Sequence, residues 1–66
     1  MDRLINDLIH EIGKYASPHE AEIFSELVGS GKYRQGFLVL DQLKNSTELP
    51  DEVNELIEKY WWDFAN

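Results

Sequence analysis

The chain has 66 residues, of which 13 are acidic and 6 are basic, so its formal net charge is −7. This length predicts a single domain over residues 1–66, and the apolar periodicity described below makes it a helical one. The negative charge excludes nucleic acid as a direct ligand, because phosphate contacts require lysine and arginine. The absence of cysteine excludes disulfides and thiolate zinc sites, and without a signal peptide or a membrane-length apolar run we expect a cytoplasmic protein that makes no membrane contact.

Two amphipathic helices are predicted in the first half of the chain. Apolar residues recur at spacings of three and four over residues 2–16, the pattern of a helix with one buried face; they are Leu4, Ile5, Leu8, Ile9, Ile12 and Tyr15. Ser17, Pro18 and Glu20 then match a capping box with proline at the first helical position. The second helix should end at Gly29, in a glycine-rich turn over residues 29–31; its inward residues are Ala21, Phe24, Leu27 and Val28.

The third predicted helix covers residues 32–44 and carries apolar side chains on more than one face, which is typical of a buried helix. One face has Tyr33, Phe37, Leu40 and Leu43, and another has Leu38 and Val39. Residues 37–40 are also compatible with a strand, but the sequence offers no second strand to pair with it. Gly36 costs about 1 kcal/mol relative to alanine inside a helix, and we expect the close approach of a neighbouring helix as its reason.

A fourth helix is predicted after the polar loop of residues 45–48. Pro50 suits its first position, and Asp51 and Glu52 interact favourably with the helix dipole in the first turn. Its inward stripe consists of Val53, Leu56, Ile57, Tyr60 and Phe64. Four helices joined by short loops predict an all-α fold, a small four-helix up-down bundle.

Motifs for catalysis and metal binding are incomplete throughout the chain. His10-Glu11 begins like the HExxH zinc motif, but Lys14 stands where the second histidine must be, and the stretch after His19 fails at the same place. Asp7 and His10 provide half of a carboxylate-bridged metal pair, and no other helix provides the second half. We therefore expect no metal, no cofactor and no catalytic residue, and a protein that is not an enzyme.

An aromatic residue is predicted on the outer face of the fourth helix. At 100° per residue, Trp62 falls about 180° from the core stripe, where its neighbours are Asp51, Glu55 and Glu58. Tryptophan is enriched among binding hot spots, and an acidic rim selects basic partners, so these four residues are the predicted partner-binding surface. Glu22 and Glu26 form a second acidic patch. Alternatively, the helix frays before Trp62, or Trp62 packs against the first helix or in a dimer.

Three short motifs in residues 22–57 carry a resemblance to a protein family. They are Gly31-Lys32-Tyr33, Gly36-Phe37-Leu38-Val39-Leu40-Asp41-Gln42-Leu43 and Leu49-Pro50-Asp51-Glu52-Val53. In these the chain resembles MafI-type immunity proteins of interbacterial toxin systems, although Lys32 replaces an acidic residue and Phe37 a smaller one. The resemblance implies a cytosolic protein that binds and neutralises a cognate toxin, often a nuclease. It implies no particular site residue.

Charge, the outward tryptophan and the resemblance together predict a non-enzymatic protein-binding domain. The predicted function is that of an immunity protein that neutralises a bacterial toxin, a basic protein such as a nuclease, through its acidic surface. One alternative is a homo-oligomeric structural or adaptor module, for example a homodimer whose interface is sealed by Trp61 and Trp62. Another is a phage-type inhibitor that mimics DNA with its carboxylates.

Overall fold

Residues 2–66, which the computed structural model describes, form four α-helices and a final π-helical turn. The helices are α1 (Arg3–Ile12), α2 (Pro18–Gly29), α3 (Tyr33–Ser46) and α4 (Asp51–Tyr60), and the π turn spans Trp61–Ala65. The predicted all-α fold, a small four-helix up-down bundle, is confirmed. The strand alternative for residues 37–40 is wrong, because these residues lie inside α3.

The ends of α2 follow the capping signals of the sequence. The Ser17 Oγ accepts a 3.2 Å hydrogen bond from the Glu20 backbone N–H, and the Glu20 carboxylate accepts one of 3.3 Å from the Ser17 N–H. This reciprocal pair is the predicted capping box. At the other end Gly31 has φ +76°, a left-handed conformation that glycine adopts without a steric penalty. Local chemistry therefore fixes both ends of α2.

The first helix is shorter than its apolar pattern predicts. It ends at Ile12, and residues 13–16 form turns in which the backbone N–H groups of Tyr15 and Ala16 both donate to the Ile12 carbonyl, at 3.0 and 2.8 Å. A residue before proline is driven out of the α conformation, so Ser17 and Pro18 leave little room to continue α1. The prediction that Tyr15 contributes to the buried face is therefore wrong, since its side chain is 37% exposed.

Each helix packs against the next one along the chain, and α4 returns to contact α1, so the helices enclose one core. The buried apolar side chains include members of all four predicted stripes: Ile5, Leu8, Ile12, Phe24, Val28, Leu40, Leu43, Leu49, Val53, Ile57, Tyr60 and Ala65. The expectation that α3 is a buried helix is wrong for its outer side, where several residues are exposed. Leu38 faces solvent and is 63% exposed.

Gly36 lies where side chains from α2 and α4 reach the backbone of α3. A Cβ at this position would lie 2.7 Å from the Tyr60 hydroxyl oxygen and 3.3 Å from Cε1 of Phe24. The Tyr60 side chain has no exposed surface, and its hydroxyl donates a 2.6 Å hydrogen bond to the Tyr33 carbonyl. The predicted close approach at Gly36 is confirmed, and its cause is the buried phenol of α4.

We expect Gly36→Ala to lower the free energy of unfolding by about 1–3 kcal/mol, because the added methyl must displace the Tyr60 hydroxyl. Chemical denaturation of the wild type, Gly36→Ala, Tyr60→Phe and the double variant measures this effect. Since Tyr60→Phe removes the atom that the methyl meets, Gly36→Ala should cost less in that background. An equal cost in both backgrounds would show that the hydroxyl is not the obstacle.

Alkaline pH should destabilise the fold through the same phenol. Burial, with a smaller contribution from Tyr33, raises the pKa of Tyr60 from 10.0 to about 12. The folded chain then holds this proton more tightly than the unfolded chain, so the stabilisation is complete below pH 10.0 and lost as the pH rises through about 12. We expect the free energy of unfolding to fall over this interval, and tyrosinate absorbance to contain a late component that Tyr60→Phe removes.

Candidate functional site

The packing of α4 determines which of its side chains face solvent. Val53, Ile57 and Tyr60 are buried in the core, at spacings of four and three residues. Side chains on the opposite side of a helix must then point outwards, and those of Asp51, Glu55 and Glu58 are exposed. The structure therefore places the three predicted carboxylates on one outer face of α4.

Trp62 extends the same outer face into the π turn. Its side chain is 64% exposed, as the helical wheel predicts, and the helical conformation continues past it to Ala65. The alternatives in which the helix frays before Trp62, or Trp62 packs against α1, are therefore wrong. The alternative of a dimer contact stays a prediction. An indole this exposed contributes little to the core of the single chain and is free for contact with another molecule.

The π turn itself is a departure from the sequence prediction, which assumed a regular α-helix through Phe64. The Asn66 backbone N–H donates a 2.7 Å hydrogen bond to the Trp61 carbonyl, five residues earlier. Arg34 of α3 donates from Nε to the Ala65 carbonyl at 3.0 Å. Phe64 is half-buried and packs against the core beside Tyr33 and Tyr60, as its predicted inward position requires, and the wider turn in addition buries Ala65 completely.

Within residues 2–66 the carboxylates of this face have no ionic partner. Among residues 2–66 the only ion pair joins Lys14 and Glu11, at 2.9 Å. Asp51 and Glu55 are four residues apart, and Glu55 and Glu58 three, spacings at which like charges on a helix repel by about 0.2–0.5 kcal/mol per pair. Their arrangement on α4 therefore costs some stability and leaves a negative surface open to an external cation.

Two hollows flank a ridge formed by Glu55 and Glu58, which we call the acidic ridge. On one side lies a groove of about 450 Å³ between α3 and α4, the α3–α4 groove; it is lined by Phe37, Lys44, Asp51, Asn54, Glu55, Ile57, Glu58 and Trp61. On the other side lies a hollow of about 300 Å³ beside Trp62; it is lined by Glu55, Glu58, Lys59, Trp62 and Asp63. The acidic ridge therefore faces an aromatic side chain in both directions.

Sequence reasoning did not find the α3–α4 groove, because α3 and α4 both contribute to it. Phe37 and Trp61 are half-buried, and their ring centroids lie 4.8 Å apart. The only signal in the sequence is the position of Trp61 at the edge of the inward stripe, about 80° from its centre. That this indole contacts Phe37 becomes visible only when α3 and α4 are packed together.

Glu22 and Glu26, the second predicted acidic patch, are also exposed and lie on α2. Their helix packs between α1 and α3, as α4 does on the other side of the bundle. The structure therefore does not bring this patch together with the acidic ridge. Of the two predicted acidic surfaces, only the one on α4 is accompanied by an exposed tryptophan.

Neither a metal cluster nor a membrane-spanning helix is present in the described chain. No three histidine, cysteine, aspartate or glutamate side chains of residues 2–66 are placed to hold one metal ion. None of the helices formed by these residues combines the length and the apolar character needed to cross a membrane. What the candidate surface offers chemically is negative charge beside aromatic rings, which suits the binding of a cation or a basic protein.

Comparison of the chain with protein-family models, with curated proteins and with solved structures found no match. The resemblance to MafI-type immunity proteins therefore stays a prediction from short sequence motifs. The outer face of α4 has to be interpreted from its own geometry and charge.

We expect the double substitution Glu55→Gln with Glu58→Gln to leave the fold as stable as before or more stable, by up to about 1 kcal/mol at low ionic strength, because both repelling pairs lose a charge. It removes two like charges from one helix face, and the gain should shrink as salt screens the repulsion. Thermal unfolding measures it, with Asp41→Asn plus Glu48→Gln as a control of equal charge change, since these two exposed carboxylates are not three or four residues apart on one helix. A loss above about 1 kcal/mol would mean that the ridge carboxylates support the fold.

Proposed function

We propose that this chain is a non-enzymatic protein-binding domain that holds a basic partner on the outer face of α4. The observation that carries the proposal is Trp62, an indole 64% exposed beside carboxylates without an ionic partner in residues 2–66. A large aromatic surface left in water costs free energy that a partner recovers by covering it. Because the surrounding rim is acidic, the partner that gains most is a basic protein.

Charge and tryptophan have different tasks in this proposal. The negative field of the chain steers a basic partner towards it and raises the association rate, an effect that salt screens. Trp62 then acts as a hot spot, since tryptophan at the centre of an interface contributes a large share of the binding energy. The partner is accordingly expected to bind faster at low salt and to dissociate faster when the indole is removed.

The finer proposal is that the domain is an immunity protein, which binds and neutralises a cognate bacterial toxin in the cytoplasm. It is supported by the net charge of −7 and by the short motifs that resemble MafI-type proteins. A nuclease is a suitable toxin, because the site that holds a nucleic-acid phosphate is rich in lysine and arginine. The acidic ridge has the charge to occupy such a site in place of phosphate.

We expect Trp62→Ala to keep the helical circular dichroism of the chain and to weaken partner binding by about 2 kcal/mol or more, which is roughly 30-fold in Kd. The matched control is Leu38→Ala, because Leu38 is 63% exposed but lies on α3. A partner isolated from the native host with the wild-type chain is purified, and its Kd for each variant is measured by calorimetry.

Equal binding by the wild type and Trp62→Ala would contradict the proposed surface, and unfolding of Trp62→Ala would place this indole in the core. The immunity proposal has its own criterion. The isolated partner must be toxic when expressed alone and harmless when expressed with the wild-type chain, and its binding must weaken with salt. A concentration-dependent dimer without any such partner would instead favour the homo-oligomeric module.

A further inference from the structure

We propose that the α3–α4 groove receives an arginine side chain of the partner, with the guanidinium over the Trp61 indole and bonded to the Glu58 carboxylate. The inference rests on the proposed function, since it names the chemical group of a basic partner that this face of α4 recognises. It also assigns a binding role to Trp61, which the helical wheel places at the edge of the core stripe, and to Phe37, which the sequence predicts on the inward face of α3.

An aromatic pair lines one part of the groove. The rings of Phe37 and Trp61 lie 4.8 Å apart with an interplanar angle of 47°, and both side chains are half-buried. Contact with Phe37 holds the indole in place, so little conformational entropy is lost when a ligand settles on it. The face of an indole attracts cations more strongly than that of the other aromatic side chains.

Carboxylates line the same groove. Glu58 precedes Trp61 by three residues, so the two side chains are neighbours on the surface of the helix. Asp51 and Glu55 complete the acidic lining, and Lys44 is its one basic residue, which leaves a net charge of −2. A cation that enters the groove therefore meets an aromatic face and carboxylates at once, and the combination matches arginine.

Lys44 does not occupy the position proposed for the arginine. It follows Phe37 by seven residues, which places it about 10 Å further along α3. In the up-down bundle α3 and α4 run in opposite directions, and Phe37 contacts Trp61 near the end of α4. Lys44 consequently lies towards the start of α4, where Asp51 and Asn54 line the groove. At the other end of the groove, beside Glu58 and Trp61, none of the lining residues is basic.

Arginine fits this end better than lysine does. Its guanidinium is planar, so it stacks on an indole while its N–H groups form paired hydrogen bonds with a carboxylate, and it is more weakly hydrated than an ammonium group. The groove volume of about 450 Å³ also lies within the usual range for small ligands. The hollow beside Trp62 is less suitable, because Lys59 precedes Trp62 by three residues and is therefore its direct neighbour on the helix surface.

The test uses N-acetyl-arginine amide as the probe, added to the isotopically labelled full chain and followed by nuclear magnetic resonance. The chain has two tryptophans, so each indole N–H gives its own signal, and Trp62→Phe assigns them. We expect the Trp61 signal to shift saturably. N-acetyl-lysine amide should bind at least about threefold more weakly, and the uncharged citrulline analogue should cause no saturable shift.

Substitution of the ridge provides the matched comparison. Glu58→Gln should weaken binding of the arginine probe about tenfold, the effect of losing a charge-assisted hydrogen bond. Glu26→Gln changes the net charge by the same amount on α2 and should leave the affinity unchanged. Binding that survives Glu58→Gln, or that shifts the signals of α2 as strongly as the Trp61 indole, would overturn the proposed arginine site.

The same variants separate this inference from the proposed function. If the isolated partner loses affinity with Trp62→Ala but binds Glu58→Gln as it binds the wild type, the arginine site is overturned and the protein-binding function stands. If the probe binds at Trp61 but the partner is indifferent to both substitutions, the partner docks elsewhere and the proposed function falls. Parallel losses for probe and partner in Glu58→Gln support both.

Discussion

The contact on which the bundle depends is the one between the Tyr60 hydroxyl and the backbone of α3. The phenol of α4 donates to the Tyr33 carbonyl at 2.6 Å and lies against Gly36, where no side chain stands in its way. Phe24 of α2 packs on the same ring, with centroids 5.7 Å apart. The Tyr60 side chain therefore connects three helices. The same contact gives its hydroxyl a hydrogen-bond partner, which a buried polar group requires.

This constraint also sets the rotation of α4, and through it the composition of the outer surface. With Tyr60 buried and bonded, α4 cannot turn about its axis without losing the hydrogen bond, so the acidic ridge stays outside. The π turn begins directly after Tyr60. It leaves Trp61 beside Phe37 and Trp62 in solvent, so the two adjacent tryptophans line different hollows, each of which also includes Glu55 and Glu58.

Features that depend on local chemistry could be predicted from the sequence. The capping box of Ser17 and Glu20, the end of α2 and the outward position of Trp62 are of this kind, since each follows from residues a few positions apart. The π turn could not be predicted, because it depends on contacts such as the one from Arg34 to the Ala65 carbonyl. The α3–α4 groove could not be predicted for the same reason, because periodicity describes a single helix and a groove requires two helices that pack together.

The order in which the helices pack has a consequence for how the chain folds. Most contacts of the bundle join elements that are adjacent in sequence, while the docking of α1 on α4 and of the π turn on α3 brings distant segments together. Helical proteins with such local contacts fold within microseconds to milliseconds. We therefore expect the central helices to assemble early and the closure between the two outer ones to come late. Partial opening of the bundle should therefore begin with α1 leaving α4. We expect the amide protons of α1 to exchange with solvent faster than those of the other helices.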